Sequence, residues 1–366
     1  MGLSYSRNRL SMVSVTGLAL GAATAAYGVR VWRQVGVLKT SLARERVFDD
    51  DFHGQKLGRY YYSFFPSYMQ PEFGPPGVDE NGIPVSDYSR KVLIRGVMGR
   101  HYNPLTVSHW ALGAYDDYLD TGDTSHRDLF LRRTDWLVEK QAIIQNGAGL
   151  WYHTAGWGKS KKPWASGMAQ GFALSGLCRA YQETGDEKYL QTAHRALESL
   201  GIPIGEGGLA ATDEWGNLFF EEWAFFPPSH ILNGHIFALF GVHDYYRATG
   251  EDSARELFEA GVAAVHNRLL DYDVGLWSRY SLHRPTLYNH WTIAAPIYQQ
   301  VHIDLLRFLY KITGDQLFAH YANRWERQQR TPVSLLVSAA YVVFKDAVLV
   351  NKRLRGLRND LRARLK

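Results

Sequence analysis

The chain has 366 residues, of which 46% are hydrophobic and 14% aromatic, enough apolar material for one large core or two smaller ones. Its single cysteine, Cys178, excludes an internal disulfide framework and any metal site built from cysteines. The net charge of +5 is concentrated in residues 352–366, and the rest of the chain is close to neutral. The sequence has no basic–aromatic module, zinc knuckle or phosphate-binding loop, which argues against nucleic acid as a partner.

The first element is an uncharged run at residues 10–29, about the length that a membrane-spanning helix needs. The run is rich in small residues, and Ala23-Thr24-Ala25 also fits a signal-peptide cleavage site. We expect residues 1–44 to form an N-terminal membrane anchor and linker, with a cleaved signal peptide or a soluble helix as alternatives. More basic residues follow the run than precede it, so the positive-inside rule leaves the side of the membrane open.

Residues 45–100 show no helical periodicity. They combine turn-forming sequences, such as the Pro-Pro-Gly at 75–77, with short strand-like runs. We interpret this segment as an arm or a small β element that covers the body of the protein.

Residues 101–331 repeat one pattern four times. A Thr-Gly-Asp or Thr-Gly-Glu triplet begins at Thr121, Thr184, Thr249 and Thr313, at separations of 63, 65 and 64 residues. Each glycine can end a helix in the left-handed conformation, and the acidic residue can cap the next helix. A period of about 64 residues is longer than the ~34 residues of a short-period helical solenoid. We therefore predict a mainly α fold, an (α/α) toroid of four helical hairpins.

The long connections between the hairpins concentrate Trp, Tyr, His and Glu, at residues 149–164, 214–230 and 275–291. In a toroid the tight turns lie on one rim and these connections on the other, where loops on a rigid scaffold build a site. Aromatic faces stack on sugar rings and polar groups bind hydroxyls, so this rim predicts a carbohydrate cleft. The alternative is that these residues pack the turns of the repeats, as the recurring Gly-Leu-Trp at 149 and 275 indicates.

The last segment, residues 332–366, follows the repeats. Its apolar part is interrupted by Lys345 and Asp346, which favours an amphipathic helix over a membrane-spanning one. The basic end of the chain either contacts anionic lipid headgroups or forms a solvated helical tail.

Four blocks of the repeat region resemble the C-terminal domain of D-glucuronyl C5-epimerases, in the order expected of that family. They begin at Tyr102, Trp164, Glu221 and Tyr280. The resemblance covers residues 100–330 and implies an isomerase that converts glucuronate to iduronate in heparosan and heparan sulfate precursors. It implies a uronic-acid-containing glycan as the substrate and leaves a homodimer open. The membrane is expected as a partner only through the N-terminal helix.

The resemblance also assigns the reacting groups. The two tyrosine blocks of the family correspond to Tyr280-Ser-Leu-His and Tyr298-Gln-Gln-Val-His, at the family's spacing, and its paired glutamates to Glu221 and Glu222. C5 epimerisation needs a base on one face of the sugar and an acid on the other, with no redox cofactor and no metal. We therefore expect Tyr280 and Tyr298 to be the proton-transfer pair and Glu222 a further base, with Glu221 structural.

The remaining candidates are expected to bind the substrate or to line the cleft, and they are His283, Arg284, His302, Asn233, Tyr152, His153, Trp164, Gln170 and Trp223. Trp223 and His283 stand where the family has tyrosine and arginine, and arginine is the natural partner of a uronate carboxylate. Plainer roles stay open for His302, as a core histidine, and for Gln170, as a residue that satisfies buried backbone groups.

Three other classes of protein fit the same pattern. A glycoside hydrolase needs two carboxyl groups at the bond, and the matched blocks offer Glu222 no evident partner. A polysaccharide lyase would remove the same proton and then eliminate at C4. A glycan-binding protein without activity is suggested by Trp223 and His283. We predict a uronyl C5-epimerase that acts on a glucuronate-containing polysaccharide by proton abstraction at C5 and reprotonation from the opposite face.

Overall fold

A computed structural model of the chain describes residues 50–62, 77–87, 99–155, 163–283, 292–334, 336–337 and 339–341. These residues form two compact units. The larger consists of the described residues between 45 and 294 together with Val301–Trp325, and the smaller includes Ala295–Gln300 and the residues from Glu326 onward. The predicted N-terminal anchor and the basic tail lie outside the described residues. Within those residues no helix is long and apolar enough to cross a membrane.

Each sequence repeat forms one helical hairpin, with the tight turn at its Thr-Gly-Asp or Thr-Gly-Glu triplet. The helices are α1 Pro104–Thr121 and α2 Thr124–Lys140, α3 Gly167–Thr184 and α4 Glu187–Gly201, α5 Leu232–Thr249 and α6 Asp252–Arg268, and α7 Pro296–Thr313 and α8 Gln316–Gln329.

The turns between paired helices share one geometry. Gly185 has a φ of 70°, and its N–H donates to the carbonyl oxygen of Tyr181 at 2.7 Å, which closes helix α3. The carboxylate of Asp186 then accepts from the N–H of Lys188 at 3.0 Å and caps helix α4. The equivalent glycines of the other repeats have φ values of 69°, 75° and 70°. The left-handed glycine is therefore confirmed in all four turns and the acidic cap in the three turns that carry aspartate. Glu251 makes no side-chain cap bond and instead accepts from the hydroxyl of Tyr245 at 2.7 Å.

The first helices of the hairpins pack side by side, with α1 against α3 and α3 against α5. Phe308 of α7 meets Phe240 of α5 with ring centroids 6.1 Å apart. The second helices α2, α4 and α6 each pack against the first helix of their own hairpin. Helix α5 is buried at nearly all its positions, whereas α2 buries one stripe. An inner and an outer row of helices is the arrangement of an (α/α) toroid, so the predicted mainly α fold class is confirmed.

Helices α3 and α5 touch through their backbones. A Cβ atom at Gly171 would lie 2.4 Å from the carbonyl oxygen of Phe237, and one at Gly241 would lie 2.3 Å from the carbonyl oxygen of Gly171. These distances are far inside van der Waals contact, and helical backbone cannot move aside cheaply. Only glycine at both positions permits this spacing.

Short antiparallel strands supplement the helices. Before the first hairpin, β1 Gly77–Val78, β2 Pro84–Asp87 and β3 Arg100–Tyr102 form a sheet in that order. The connections hold three two-stranded pairs, which are β4 Ala142–Ile143 with β5 Gly149–Leu150, β6 Tyr152–His153 with β7 Trp164–Ala165, and β8 Ala210–Thr212 with β9 Leu218–Phe220. The Gly-Leu-Trp tryptophans of the connections, Trp151 and Trp277, are fully buried, so the tryptophan of this recurring triplet belongs to the scaffold.

Residues 50–62 pack against the core of the larger unit through Phe52, Leu57 and the tyrosines at 60–62. The three tyrosines at 60–62 are fully buried. The Tyr61 hydroxyl donates to Asp244 Oδ1 at 2.7 Å, and Arg179 Nη1 donates to Asp244 Oδ2 at 2.6 Å. Both charged side chains are completely buried. The ion pair joins helix α3 to helix α5. The hydrogen bond from Tyr61 joins both helices to the segment that precedes the hairpins.

Replacing Gly185 with alanine should destabilise the protein by about 1 kcal/mol or more, because an L-residue is strained at a positive φ. The matched control is Gly113→Ala, at an exposed interior position of α1, which should stabilise by about 0.5–1 kcal/mol because alanine is the better helix former. Urea unfolding monitored by circular dichroism measures both changes. Equal midpoints for the two variants would contradict this account of the turns.

Removing one partner of the buried ion pair should destabilise the protein far more than the Gly185→Ala substitution does. We expect Arg179→Met to lower the free energy of unfolding by up to about 3–5 kcal/mol, because the buried Asp244 loses its shortest ion-pair contact and keeps only the more distant Arg247, at 3.6 Å. The double variant Arg179→Met, Asp244→Leu should recover part of that loss. Asp252→Asn, which breaks an exposed pair with Arg255, should change stability by less than about 1 kcal/mol. A single variant no worse than the double one would refute the interpretation.

Candidate functional site

The loop after strand β9 begins with two glutamates that have different surroundings. Glu221 is fully buried, and its carboxylate accepts from the N–H groups of Ser229 at 2.8 Å and His230 at 3.1 Å. The ring atom Nδ1 of His230 lies 2.8 Å from the same carboxylate. The Glu221 carbonyl oxygen accepts from the N–H of Gly167 at 2.8 Å. Glu221 therefore closes the 221–230 loop and fastens it to the start of α3, which agrees with the structural role expected for it.

Glu222 lies over the first turn of helix α5. The amide Nδ2 of Asn233 donates to its Oε2 at 3.1 Å, and the hydroxyl of Tyr280 donates to its Oε1 at 3.0 Å. A Cβ at position 234 would lie 2.5 Å from Oε2, so Gly234 allows the carboxyl group to approach the helix. The structure thus brings together three of the residues singled out in the sequence.

The protonation of Glu222 is balanced between opposing effects. Loss of hydration raises the pKa of its carboxyl group to about 7, and the nearby charge of Glu221 adds a smaller increase. The two donors, Tyr280 and Asn233, oppose this by stabilising the carboxylate. A carboxyl group with a pKa near neutrality exchanges protons readily at physiological pH, which suits a general acid or base.

Tyr280 is held on both sides by its main chain. Its N–H donates to the carbonyl oxygen of Thr292 at 2.6 Å, and its carbonyl oxygen accepts from the N–H of Leu232 at 3.1 Å. The extended segment that carries Tyr280 therefore runs directly beside the start of α5, which explains why the hydroxyl reaches Glu222. The ring of Trp223 lies 6.5 Å from the ring of Tyr280.

An aromatic wall continues from this point along the strand pair β6–β7. The rings of His153 and Trp164 stack at 4.0 Å, and Trp164 lies 5.8 Å from Phe225. The N–H of Ala224 donates to the carbonyl oxygen of Ala165 at 3.3 Å, which joins this strand pair to the 221–230 loop. We call these rings, His153, Trp164 and Phe225, the aromatic wall.

His153 is uncharged in this setting, because burial lowers the pKa of its imidazole to about 3. Its Nε2 atom is buried and has no hydrogen-bond partner among the described residues. Side chains alternate along a strand, so the neighbouring Tyr152 faces the other way and packs against the hydrophobic core.

His302 occupies a core position in the larger unit. It is fully buried, its Nδ1 lies 3.1 Å from the hydroxyl of Ser278, and burial lowers its pKa to about 3. Gln170 is also buried, and its Nε2 donates to the carbonyl oxygens of Gly149 and Ala196 at 2.6 and 3.1 Å. Both placements fit the plainer roles left open by the sequence.

The remaining candidates are His283, Arg284 and Tyr298. His283 Nδ1 lies 2.7 Å from the hydroxyl of Ser281. Arg284 lies outside the described residues. Tyr298 is partly exposed in the first turn of α7 and belongs to the smaller unit, whereas Glu222 and Tyr280 belong to the larger. The roles of these three residues stay predictions.

Sequence reasoning missed Gly234 and Phe225. A signal for the first existed, because the Leu-Asn-Gly block at 232–234 places a glycine, a poor helix former, inside a helix start. No comparable signal marks Phe225, since its contact with Trp164 joins two different connections.

Comparison with solved structures gives distant matches. A GH76 α-mannanase from Bacteroides thetaiotaomicron matches 71% of this chain and 73% of its own, at 12% identity and a TM-score of 0.45. An unsaturated glucuronyl hydrolase from Bacillus sp. GL1 matches 64% of this chain and 62% of its own, at 18% identity and a TM-score of 0.42.

Two relatives found by sequence comparison share a higher identity with this chain than these structures do. The D-glucuronyl C5-epimerase of Caenorhabditis elegans is 32% identical over 55% of this chain and 35% of its own length. An uncharacterised protein of Methanocaldococcus jannaschii is 31% identical over 45% of this chain and 52% of its own length. The chain thus spans from about a third to about half of the length of these relatives.

The family model for the D-glucuronyl C5-epimerase C-terminus matches residues 146–327. This span contains Glu222, Asn233 and Tyr280, the residues that the structure brings together. Together with the nematode relative, the match establishes that the chain belongs, through this domain, to the D-glucuronyl C5-epimerase family.

Proposed function

We propose that this protein is a uronyl C5-epimerase acting on glucuronate units of a polysaccharide. The single observation that carries the proposal is the hydrogen bond from the Tyr280 hydroxyl to the Glu222 carboxyl group, 3.0 Å long, inside the family-matched domain. It places a phenol next to a carboxyl group whose pKa is about 7. Proton abstraction at a carbon atom needs such a paired, tunable acid and base.

The reaction follows from these two groups. The hydrogen on C5 lies next to the sugar carboxylate, and its removal leaves an enediolate whose charge needs stabilisation. A phenol with its usual pKa of about 10 is a weak base at neutral pH. Glu222 accepts the hydroxyl proton of Tyr280, so that Tyr280 can take the proton from C5 as its own proton passes to the carboxylate. Asn233 keeps Glu222 oriented during this transfer.

Inversion at C5 requires a second proton donor on the other face of the sugar. We assign this role to Tyr298, which rests on its motif match and its spacing from Tyr280 in the sequence. The cation for the substrate carboxylate is assigned on the same basis to His283 or Arg284. An arginine would bind a carboxylate through two parallel hydrogen bonds.

The surroundings of Glu221 favour an epimerase over a glycoside hydrolase. A hydrolase needs two carboxyl groups that both reach the glycosidic bond. The Glu221 carboxylate is buried and bonded to Ser229 and His230. In the loop that carries Glu222, the adjacent acid is therefore not available for hydrolysis.

The test is incubation with heparosan in deuterated water, followed by NMR at the C5 position. We expect deuterium uptake with an intact chain. Tyr280→Phe and Tyr298→Phe should each lower the exchange rate by about 10²–10⁴-fold, the usual contribution of a proton-transfer group. The matched control is Tyr181→Phe, which should leave the exchange rate unchanged. The Tyr181 hydroxyl donates to the exposed Glu187 at the turn between α3 and α4.

Other products would point elsewhere. A 4,5-unsaturated chain end would identify a lyase, and new saturated reducing ends would identify a hydrolase. Full exchange in both tyrosine variants would refute the assigned proton transfers, and no change in any uronan tested would refute an enzymatic role.

The titration of Glu222 predicts a pH dependence of both activity and stability. The exchange rate should rise as pH passes through about 7, where Glu222 ionises, and Glu222→Gln should abolish this rise together with most of the activity. Because the pKa in the folded state lies above its ordinary value of 4.5, the associated stability is present below pH 4.5 and is lost as pH rises through about 7.

Glu222→Gln should therefore match the wild type in stability at pH 4 and exceed it at pH 8 by up to about 3 kcal/mol. Glu221→Gln is the contrasting variant and should lower stability at pH 8 by about 1–3 kcal/mol, because it weakens the charge-assisted bonds that close the loop. Thermal unfolding at the two pH values measures both effects. A Glu222→Gln variant less stable than the wild type at pH 8 would contradict the raised pKa.

A further inference from the structure

A concave surface includes part of the loop that carries Glu222. It is a cavity of about 230 Å³ between the segment after helix α4, strand β8 and the far end of the 221–230 loop. Its apolar walls come from Pro203, Ile204, Ala210, Ala211, Phe226 and Pro228. Two further residues, Glu206 and Thr212, contribute polar groups and are exposed.

Phe226 is the prominent ring of this cavity. Its side chain is 73% exposed, although the loop on either side of it is firmly bonded. The N–H of Phe225 donates to the carbonyl oxygen of Trp223 at 2.7 Å, and Glu221 binds the N–H groups of Ser229 and His230. What distinguishes this ring from other exposed apolar side chains is its place in a concave surface with polar groups nearby, the combination from which binding sites for small molecules are built.

The charge of the cavity limits what it can bind. Among the described residues that line it, none is basic and Glu206 is acidic. A uronate carboxylate would meet repulsion here and would find no cation. An uncharged sugar unit would instead place its apolar C–H face on Phe226 and its hydroxyls near Glu206 and Thr212.

The cavity is also within reach of the reacting group. Phe226 follows Glu222 by four residues, so their Cα atoms lie at most about 14 Å apart. A short stretch of one glycan chain can span that distance. A neutral unit at Phe226 and a uronate at Glu222 would then be parts of the same substrate molecule.

We propose that this cavity, with Phe226 as its platform, is an accessory subsite for an uncharged sugar unit of the glycan whose uronate is bound at Glu222. The proposal rests on the proposed function for the identity of the glycan. The subsite would select chains in which uronates alternate with neutral units over chains made of uronates alone.

The experiment is calorimetric titration with two probes, a heparosan hexasaccharide and a hexasaccharide of glucuronate alone. Phe226→Ala should raise the Kd for the heparosan probe about tenfold, which corresponds to about 1.4 kcal/mol. It should change the Kd for the all-uronate probe less than twofold. Phe226→Trp should restore binding, and Trp215→Ala, an exposed aromatic on the β8–β9 turn outside the cavity, should have no effect.

Unchanged heparosan binding in Phe226→Ala, an equal loss for both probes, or no binding of the heparosan probe by the wild type would each overturn the subsite. The proposed epimerase function is tested separately from the subsite. Binding that depends on Phe226 without C5 exchange would refute the epimerase and leave the subsite intact. C5 exchange without any effect of Phe226 would refute the subsite alone.

Discussion

The backbone contact between helices α3 and α5 is the constraint on which the candidate site depends. It exists because Gly171 and Gly241 carry no side chain. With the two helices this close, their first turns lie near each other on the rim of the connections. The N–H of Gly167, at the start of α3, then binds the carbonyl oxygen of Glu221, and Glu222 comes to rest against the start of α5. A wider spacing would separate the loop from the helix that orients it.

The two adjacent glutamates of the 221–230 loop have different roles, one structural and one in the proposed reaction. Glu221 gives up its hydration completely and regains hydrogen bonds from two main-chain N–H groups, which makes it a fixed point of the fold. Glu222 accepts from two side-chain donors in the described part of the chain, Asn233 and Tyr280. Its ionised form is therefore under-stabilised, which is why its pKa is raised to about 7. Reactivity at Glu222 depends on the rigidity that Glu221 supplies one residue earlier.

The polar atoms around this loop are incompletely satisfied within the described part of the chain. Asn233 Oδ1 and His153 Nε2 are buried and have no hydrogen-bond partner there. A buried, unpaired polar group costs about 1–3 kcal/mol. Each such group in a native structure calls for an explanation, and a catalytic role is one of them. The ring of His153 stacks on Trp164, and Trp223 lies near Tyr280. Polar groups and aromatic faces therefore occur together around this loop, a combination suited to the sugar of the proposed function.

Local sequence patterns were enough to predict the helical hairpins, because helix ends are decided by interactions between residues close in the chain. The contacts of the left-handed Gly185 and of the capping carboxylate of Asp186 each span only a few residues. The turns at the triplets could therefore be predicted without a structure. The tyrosine and glutamate blocks were likewise found by their motifs. The tertiary structure alone decided which side chains meet. It joined Tyr280 to Glu222 across 58 positions of the chain, used Gln170 for the scaffold, and set Phe225 against Trp164. These outcomes depend on the spacing of helices distant in sequence, a collective result of packing that no local pattern specifies.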